Sequence, residues 1–492
     1  MARFLIEVPH EAKEQECALA VKTQTTAGQQ TTLDTDGVKA FARSLQGELI
    51  SSDHPQFEQA RRVWNGMIDK HPALIARCSG PADVVAAVRL VREHGIPLSV
   101  RGGGHNVAGR AICDDGLVVD LTPMRDVCVD PVNRIVQAQG GATLGDIDRK
   151  TQAFGLAVPV GLVTATGIAG LTLHGGMGWL TRKHGLTLDN LIAADVVTAD
   201  GSLLRVNETD HSDLFWAIRG GGGNFGIVTS FQFRAHVVGP DVWFLATIYP
   251  IAQAGRVLRF VHDFMLDAPE DLGVLVTLWS APQDEPIPTE HRGEPVIVVL
   301  GCYCGPFEEG DGAIRPLREI AEPIADLSGP RRYLDVQKFF DADYPNGMLY
   351  YWKSAYLTRL DEEVTEAVIR HSRTRPSPLT SLDLWFLSGA MNRVAPDETA
   401  FARRDSRYVL AIESNWTDPG QSDANIAWTR RVFDEMQRFT RGAYLNFPGF
   451  VEDRDDLLRG AYGDNIERLQ EIKSKYDPGN LFLGTLNIPP KR

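Results

Sequence analysis

Glycine-rich segments concentrated between residues 101 and 226 constrain this chain more than any other feature. There are four of them, at 101–106, 140–143, 167–178 and 219–226. Glycine lacks a Cβ and adopts positive φ freely, so the backbone N–H groups of such loops can close around an anion. One segment alone is most simply a tight turn. Four together, the first of them carrying Arg101 and His105, indicate one long ligand that contains a pyrophosphate.

Two common nucleotide-binding patterns do not account for these segments. Residues 221–226 can be aligned with the G-x-G-x-x-G fingerprint, but they do not lie between a strand and a helix that returns to a parallel strand. That context is required, so a Rossmann domain is not expected. In addition, no glycine run ends in Gly-Lys-Ser or Gly-Lys-Thr, which excludes a phosphate-binding loop of the Walker type.

Charge and composition exclude several classes of partner. The net charge of −14 disfavours binding to nucleic acid. Six cysteines in 492 residues do not make a disulfide framework. Cys302 and Cys304 share one face of a predicted strand and are expected to pack in the core rather than bind a metal. No stretch approaches the ~20 apolar residues of a membrane span, and the N-terminal apolar stretch is too short for a signal peptide. We therefore expect a cytoplasmic protein. We also expect it to be a monomer or a homodimer.

The kinds of secondary structure predicted along the chain change from one region to the next and indicate how the chain is organised. At the N-terminus we predict a strand at 2–8, a helix at 12–22 and a Thr/Gln/Gly-rich linker at 23–35. Strands, short helices and glycine loops follow to residue 234. They include a helix at 81–94, with Pro81 at its first position and an apolar stripe formed by Val84, Val88 and Val91. Strands are expected at 97–100, 117–121 and 135–139.

Longer elements characterise residues 240–440. Amphipathic helices are predicted at 362–372 and 425–440. The predicted strands occupy 242–249, 272–278, 296–303, 381–387 and 408–416. This pattern indicates an α+β region with an antiparallel sheet that is covered by helices on one face.

Short signature segments are distributed over nearly everything after the first 40 residues. They are VWNGM at 63–67, RGGGH at 101–105, GLTLHGGMG at 170–178, DN at 189–190, DLFWAIRG at 213–220, YLN at 444–446, IERL at 466–469, YDPGNLF at 476–482 and NIPP at 487–490. In these segments the chain resembles the berberine-bridge-enzyme-like branch of the vanillyl-alcohol-oxidase/PCMH superfamily of flavoproteins.

The resemblance implies an α+β fold made of a two-subdomain PCMH-type FAD-binding domain and a substrate domain. Residues 36–238 would form the FAD-binding domain, 239–440 the substrate domain, and 441–492 a segment that returns to the FAD domain. Residues 1–35 are an appendage of unknown role.

The resemblance also implies a covalent flavin. In this family the His of R-x-G-G-H bonds to the flavin 8α-methyl carbon, and that residue is His105 here. Imidazole is a nucleophile near neutral pH, which suits the role. Many relatives add a second bond from a Cys in G-x-C-x-x-x-G, but the matching segment, 161–167, has Val163 at that position. We therefore expect FAD with a single covalent link, which weakens the case for a bulky oligosaccharide substrate.

The family pattern extends to a larger set of expected FAD-binding residues, with Thr166 about where the family's oxygen-gating residue is found. The set is Arg101, Gly102, Gly103, Gly104, His105, Asn106, Gly141, Thr143, Val163, Thr166, Gly167, Gly170, Leu171, Gly175, Gly178, Gly226, Val228, Asn446 and Asn487.

Three residues are predicted to take part in catalysis. Asp383 matches the family strand that carries an acidic or amide residue, and alternation places Trp385 beside it. Partial burial would raise its pKa toward that of a useful base; a solvent-facing Asp on an edge strand is an equally good interpretation. His174 would contact substrate or flavin, or be an ordinary loop histidine. Tyr351 belongs to an aromatic run, 350–352, expected to wall the substrate pocket or to pack in the core.

The family's tyrosinate base is missing, because Phe447 ends the Y-x-N-Y segment. The expected reaction is hydride transfer from a small or medium organic alcohol or amine to FAD, followed by reduction of O2 to H2O2. The alternatives are a dehydrogenase with another electron acceptor and a catalytically idle flavin-binding module.

Overall fold

The computed structural model describes residues 21–25, 28–450 and 454–491. The predicted strand at 2–8 and most of the predicted helix at 12–22 lie outside these residues. The predicted linker at 23–35 is wrong for the residues of this range that the structure describes. Val21–Gln24 and Gln30–Leu33 form an antiparallel hairpin, followed by a helix at Thr35–Ser44. Leu33 and Phe41 are buried in the core of the adjoining subdomain, which explains why a segment rich in Thr and Gln is ordered.

The first subdomain is built on a four-stranded sheet. Its strands, in spatial order, are Glu48–Ser51, Leu74–Arg77, Leu117–Asp120 and Leu98–Arg101. The last three are parallel, and the helix Pro81–His94 connects two of them. As predicted, Pro81 begins that helix and Val84, Val88 and Val91 are buried against the sheet.

The second subdomain contains a five-stranded antiparallel sheet. Its strands, in spatial order, are Leu203–Asn207, Leu191–Val197, Ile227–Arg234, Ile135–Gln139 and Val127–Asp130. The helices Leu144–Gln152 and Ser212–Ile218 contribute buried residues to its core. Leu469 of the helix Ile466–Tyr476 and Ile488 beyond it lie in the same core. The C-terminal segment therefore packs against the region that carries the glycine loops.

The third region is a large antiparallel sheet. Its strands, in spatial order, are Ala325–Asp326, Asp241–Pro250, Pro295–Tyr303, Leu272–Ser280, Ser381–Phe386, Tyr408–Trp416 and Leu349–Leu357, and Gly329–Arg332 also pairs with the second of these. One face is covered by the helices Ala254–Asp267, Gly310–Arg318, Glu362–Ser372 and Ser422–Met436. This arrangement confirms the predicted α+β fold. The strand Leu349–Leu357 was not predicted.

Smaller elements complete the fold. The remaining α-helices of the described residues are Phe57–Ala60, Ile168–Leu173, Thr181–His184, Tyr333–Gln337, Ala390–Arg393 and Arg454–Tyr462, and the short strands Leu156–Ala157 and His236–Val237 pair with each other. Cys302 and Cys304 are buried with their Sγ atoms 3.4 Å apart, and no metal-binding cluster is found in the described ranges. Among the helices that the structure describes, none combines the length and apolarity needed to cross a bilayer.

Candidate active site

One cavity of about 810 Å³ lies between the glycine loops and the large sheet. It has the size of a typical small-molecule or cofactor site. Residues from all three regions line it. The predicted residues found in its wall are Gly102, Gly103, Gly104, His105, Asn106, Val163, Thr166, Gly167, Gly170, Leu171, His174, Gly226, Val228, Asp383 and Asn446.

Several predicted FAD-binding residues are absent from the cavity wall and have structural roles instead. The guanidinium of Arg101 donates to Asp120, with 2.6 Å between Arg101 Nη2 and Asp120 Oδ2. Thr143 caps the helix Leu144–Gln152 in a capping box with Asp146. Gly175 and Asn487 also lie outside the wall.

Close backbone approach explains two further glycines. A Cβ on Gly141 would lie 1.8 Å from the carbonyl oxygen of Leu121, and a Cβ on Gly178 would lie 1.8 Å from that of Val160. These glycines allow neighbouring chain segments to pack, which is a role that sequence alone does not distinguish from ligand binding. Of the predicted glycines, only some therefore face the cavity.

Other glycines do leave room for a ligand. A Cβ built on Gly170 or Gly223 would meet no protein atom within 4 Å, and both residues line the cavity. Gly103 and Gly167 bring two of the loops into contact, since a Cβ on Gly103 would lie 2.3 Å from the Gly167 nitrogen. The loops thus close around a common space with backbone groups at its surface, which is the cradle expected for a phosphate-containing ligand.

His105 lies in the wall of this cavity and stacks on Trp64, with ring centroids 4.9 Å apart and an interplanar angle of 15°. Its Nδ1 atom is 3.5 Å from the hydroxyl oxygen of Thr166. Burial lowers the pKa of His105 to about 4. The imidazole is therefore neutral at physiological pH and keeps a lone pair available for bonding.

His174 ends the helix Ile168–Leu173 and is buried. Its Nδ1 atom lies 3.0 Å from the carbonyl oxygen of Gly170. That contact requires a proton on Nδ1 and leaves Nε2 as an acceptor. Nε2 is buried without a hydrogen-bond partner in the described part of the chain. Burial also lowers the pKa of His174, so this ring is neutral as well.

Asp383 lies on an interior strand of the large sheet, which excludes the edge-strand interpretation. The strand Ser381–Phe386 pairs with Leu272–Ser280 on one side and with Tyr408–Trp416 on the other. The side chain is buried and lines the cavity. Burial raises its pKa to about 6, opposed by hydrogen bonds from Thr277 and Ser381 and by the charge of Arg375.

A second carboxyl group in the cavity wall, that of Glu413, was not predicted. It lies on the strand Tyr408–Trp416 and is buried. The hydroxyl of Tyr344 donates to its Oε2 atom at 2.7 Å. Burial and the nearby Asp383 raise the pKa of Glu413 well above its usual value. The available signal was that Glu413 is the one charged residue in the predicted strand 408–416.

Tyr351 does not line the cavity, which corrects its prediction as a catalytic residue. Its ring stacks on Phe450 with centroids 5.0 Å apart, and its hydroxyl accepts a hydrogen bond from Arg430 Nε at 3.1 Å. Arg430 belongs to a helix that covers the other face of the sheet. The neighbouring Trp352 points the opposite way and is part of the cavity wall.

Asn446 and Phe447 line the cavity beside a buried tyrosine. The amide of Asn446 donates to the carbonyl oxygen of Leu171 at 3.1 Å and to the hydroxyl of Tyr444 at 2.8 Å. That hydroxyl also accepts the backbone N–H groups of residues 176 and 177. The network ties the C-terminal segment to the glycine loop at 167–178.

The cavity wall also contains segments that sequence reasoning did not assign to it. The hairpin contributes Thr25 and Gly28, and residues 479–485 contribute from the C-terminal segment. The side-chain amide of Asn106 lies 3.4 Å from the hydroxyl of Thr485.

Comparison with known proteins identifies the ligand class. Residues 72–207 match a family model described as an FAD binding domain, and residues 443–489 match one described as berberine and berberine like. The chain is 32% identical over 460 residues to an uncharacterized FAD-linked oxidoreductase of Bacillus subtilis, with 91% of this chain and 98% of that protein covered.

Two further relatives have assigned activities. A xylooligosaccharide oxidase of Thermothelomyces thermophilus is 30% identical, with 87% of this chain and 89% of that protein covered. The crystal structure of 6-hydroxy-D-nicotine oxidase from Arthrobacter nicotinovorans superposes with a TM-score of 0.81 at 27% identity, with 91% of this chain and 99% of that chain covered. The chain belongs to the berberine-bridge-enzyme-like family of FAD-dependent oxidoreductases.

Proposed function

We propose that this enzyme is an oxidase that holds FAD through one covalent bond from His105. It oxidises a small or medium organic alcohol or amine and passes the electrons to O2, giving H2O2. One observation carries the proposal: a single cavity has glycine loops and a neutral His105 in one part of its wall and a buried Asp383 in another. The names of oxidases among its relatives support the oxidase assignment.

The residues present fit FAD. Gly170 and Gly223 border open space, and the backbone at 102–106 and 167 lines the same cavity. When bound, FAD supplies the acceptor for a hydride taken from the substrate. His105 would hold it at the 8α position, because its imidazole is kept neutral by burial. Val163 lies in the wall where many relatives have a second bonding residue, and an isopropyl side chain cannot form that bond.

Asp383 would accept a proton from the substrate. A base works best when its pKa lies near the operating pH, and burial moves the pKa of Asp383 in that direction. The hydroxyl of Thr277 donates to Asp383 Oδ1 and orients the carboxylate. The aromatic rings of Trp385 and Phe447 in the same wall would exclude water from the reacting atoms.

The oxidase assignment predicts a rapid reaction with oxygen. The protein is first photoreduced anaerobically and then mixed with air-saturated buffer, and the return of the oxidised flavin absorbance is followed. We expect reoxidation within seconds and stoichiometric H2O2, because Thr166, which lines the cavity, has a side chain small enough to let O2 approach a bound flavin. Reoxidation over many minutes would instead support the dehydrogenase alternative. A screen for H2O2 release across alcohols, amines and phenols then defines the substrate.

The N-terminal hairpin is expected to help retain FAD, since Thr25 and Gly28 line the cavity. We predict that deleting residues 1–29 from the His105→Ala variant raises the Kd for FAD roughly tenfold, if one or two contacts of about 1 kcal/mol each are lost. Deletion of residues 1–20, which leaves the hairpin in place, is the matched control. Both values come from titration of FAD fluorescence. Equal affinities for the two deletion variants would show that the hairpin does not contribute.

A further inference from the structure

Two buried carboxyl groups lie on the same wall of the cavity, on neighbouring strands. Asp383 pairs with Ala411 across the strands, and Ser381 pairs with Glu413. Asp383 and Glu413 are therefore diagonal neighbours on one face of the sheet, a relation that places side chains roughly 7 Å apart. Both residues line the cavity. A ligand between them would contact both.

Neither carboxyl group has a cationic partner among the described residues. Thr277 donates to Asp383, and Tyr344 donates to Glu413. The guanidinium of Arg375 lies close enough to influence Asp383. Its N–H groups, however, are directed to the carbonyl oxygens of residues 278, 279, 372 and 380 and to the hydroxyl of Ser280. Both carboxyl groups are thus held by neutral hydroxyls, with Ser381 as a second donor to Asp383.

Two cationic side chains elsewhere in the wall, Lys70 and Arg110, lie near each other, and neither is among the charges that shift the pKa of Asp383 or Glu413. Lys70 lines the cavity from the first subdomain, where its Nζ atom donates to the carbonyl oxygens of Gly109 and Ile112. His105 and His174 are neutral. Around the carboxyl groups the wall is aromatic and includes Tyr344, Trp352 and Trp385. Aromatic faces beside carboxyl groups that have no ion-pair partner make an environment that favours an organic cation.

We propose that Asp383 and Glu413 together form a cation-recognition site and that the substrate is an amine, protonated in solution, rather than a neutral alcohol or sugar. This inference rests on the proposed oxidase function and names its substrate class. An ammonium group can donate one hydrogen bond to each carboxylate, and such charge-assisted bonds are stronger than bonds between neutral groups.

The division of roles follows from the chemistry. The substrate ammonium transfers its N–H proton to the Asp383 carboxylate, which becomes neutral and leaves a neutral amine. When bound, FAD would supply the acceptor for the hydride, which carries both electrons of the C–H bond next to nitrogen. The product is a positively charged iminium ion, and the Glu413 carboxylate balances its charge. Water later hydrolyses the iminium ion to a carbonyl compound and an amine.

Two unreactive probes of matched shape test the recognition step without turnover. They are the ammonium ion of 2-phenylpropan-2-amine, which has N–H donors but no C–H bond next to nitrogen, and its neutral carbon isostere, tert-butylbenzene, bound to the oxidised holoenzyme and followed by the change in flavin absorbance. We expect the cation to bind at least about tenfold more tightly. Glu413→Gln should remove most of this preference and leave the Kd of the neutral probe unchanged. Asp148→Asn is the matched control, because Asp148 is a buried carboxyl group that lies outside the cavity wall.

A second measurement on the unmodified enzyme keeps the test decisive if Glu413→Gln does not fold. Binding of the cation should release a proton from the carboxyl pair, since the empty pair holds one against its raised pKa values. Calorimetry in two buffers of different ionisation enthalpy measures this release. Equal affinity for the two probes, or binding of the cation without proton release, would overturn the proposal.

The outcomes separate this inference from the proposed function. H2O2 release from neutral alcohols, without a preference for the cationic probe, would support the oxidase assignment and reject the amine site. A cation preference in a protein that reoxidises slowly in air would reject the oxidase assignment and keep the site.

Discussion

Asp383→Asn is expected to lower the rate of anaerobic flavin reduction by substrate at least about 100-fold, the contribution typical of a positioned general base. The amide has the size of the carboxyl group but cannot accept the proton. Because Asp383 lies in the large sheet and not in the glycine loops, the flavin content of the variant should match that of the unmodified enzyme. Stopped-flow absorbance measures the rate, and the absorbance ratio of flavin to protein measures the content.

The pH dependence distinguishes a base from a residue with a merely structural role. Asp383 must be ionised to act, and burial raises its pKa to about 6. The rate of flavin reduction in the unmodified enzyme should therefore be low at pH values below about 6 and should increase as the pH is raised through 6. In Asp383→Asn that rise should disappear. Asp343→Asn is the matched control, because burial raises the pKa of Asp343 to about 6 as well, yet this residue lies outside the cavity wall. An unchanged rate in Asp383→Asn would remove Asp383 from the mechanism.

The features that sequence predicted well are those encoded locally. The helix Pro81–His94 and the strand Tyr408–Trp416 have the predicted bounds, because capping residues and apolar periodicity are read within one element. The expectation that His105 and Asp383 lie at one site came from the family signatures. Residue spacing alone could not have predicted it, since the loop and the strand are far apart in the chain.

Glu413 was missed for the opposite reason. Its strand was predicted, but its significance depends on which strand lies next to it. Ser381–Phe386 and Tyr408–Trp416 are consecutive strands, for which pairing is the common arrangement. The register, which opposes Ser381 to Glu413 and so brings Glu413 within reach of Asp383, depends on tertiary packing and is not encoded in the spacing of the two segments.

Tyr351 and the N-terminal linker show two other limits. The strand Leu349–Leu357 was not recognised, so the alternation that turns Tyr351 away from Trp352 was not applied. The region 23–35 has the polar composition of a linker. Its strands are nevertheless stabilised by tertiary packing of residues such as Leu33, and packing of this kind overrides local propensity.

The second large effect is expected for His105→Ala. In the unmodified enzyme, flavin should remain with the protein after acid precipitation, because the bond from imidazole to the 8α carbon survives unfolding. In His105→Ala all of the flavin should appear in the supernatant, since Val163 offers no second attachment. Absorbance of pellet and supernatant measures the distribution.

The glycine loops should still bind FAD in His105→Ala, because Gly103, Gly167 and Gly170 keep their positions without the imidazole. The effect is therefore a change from covalent to reversible binding rather than loss of the cofactor. His174→Ala is the matched control: it removes the other neutral, cavity-lining histidine and should leave the flavin in the pellet. If flavin of the unmodified enzyme is already released by acid, His105 is not a covalent tether, and its neutral ring stacked on Trp64 serves only to pack against the cofactor.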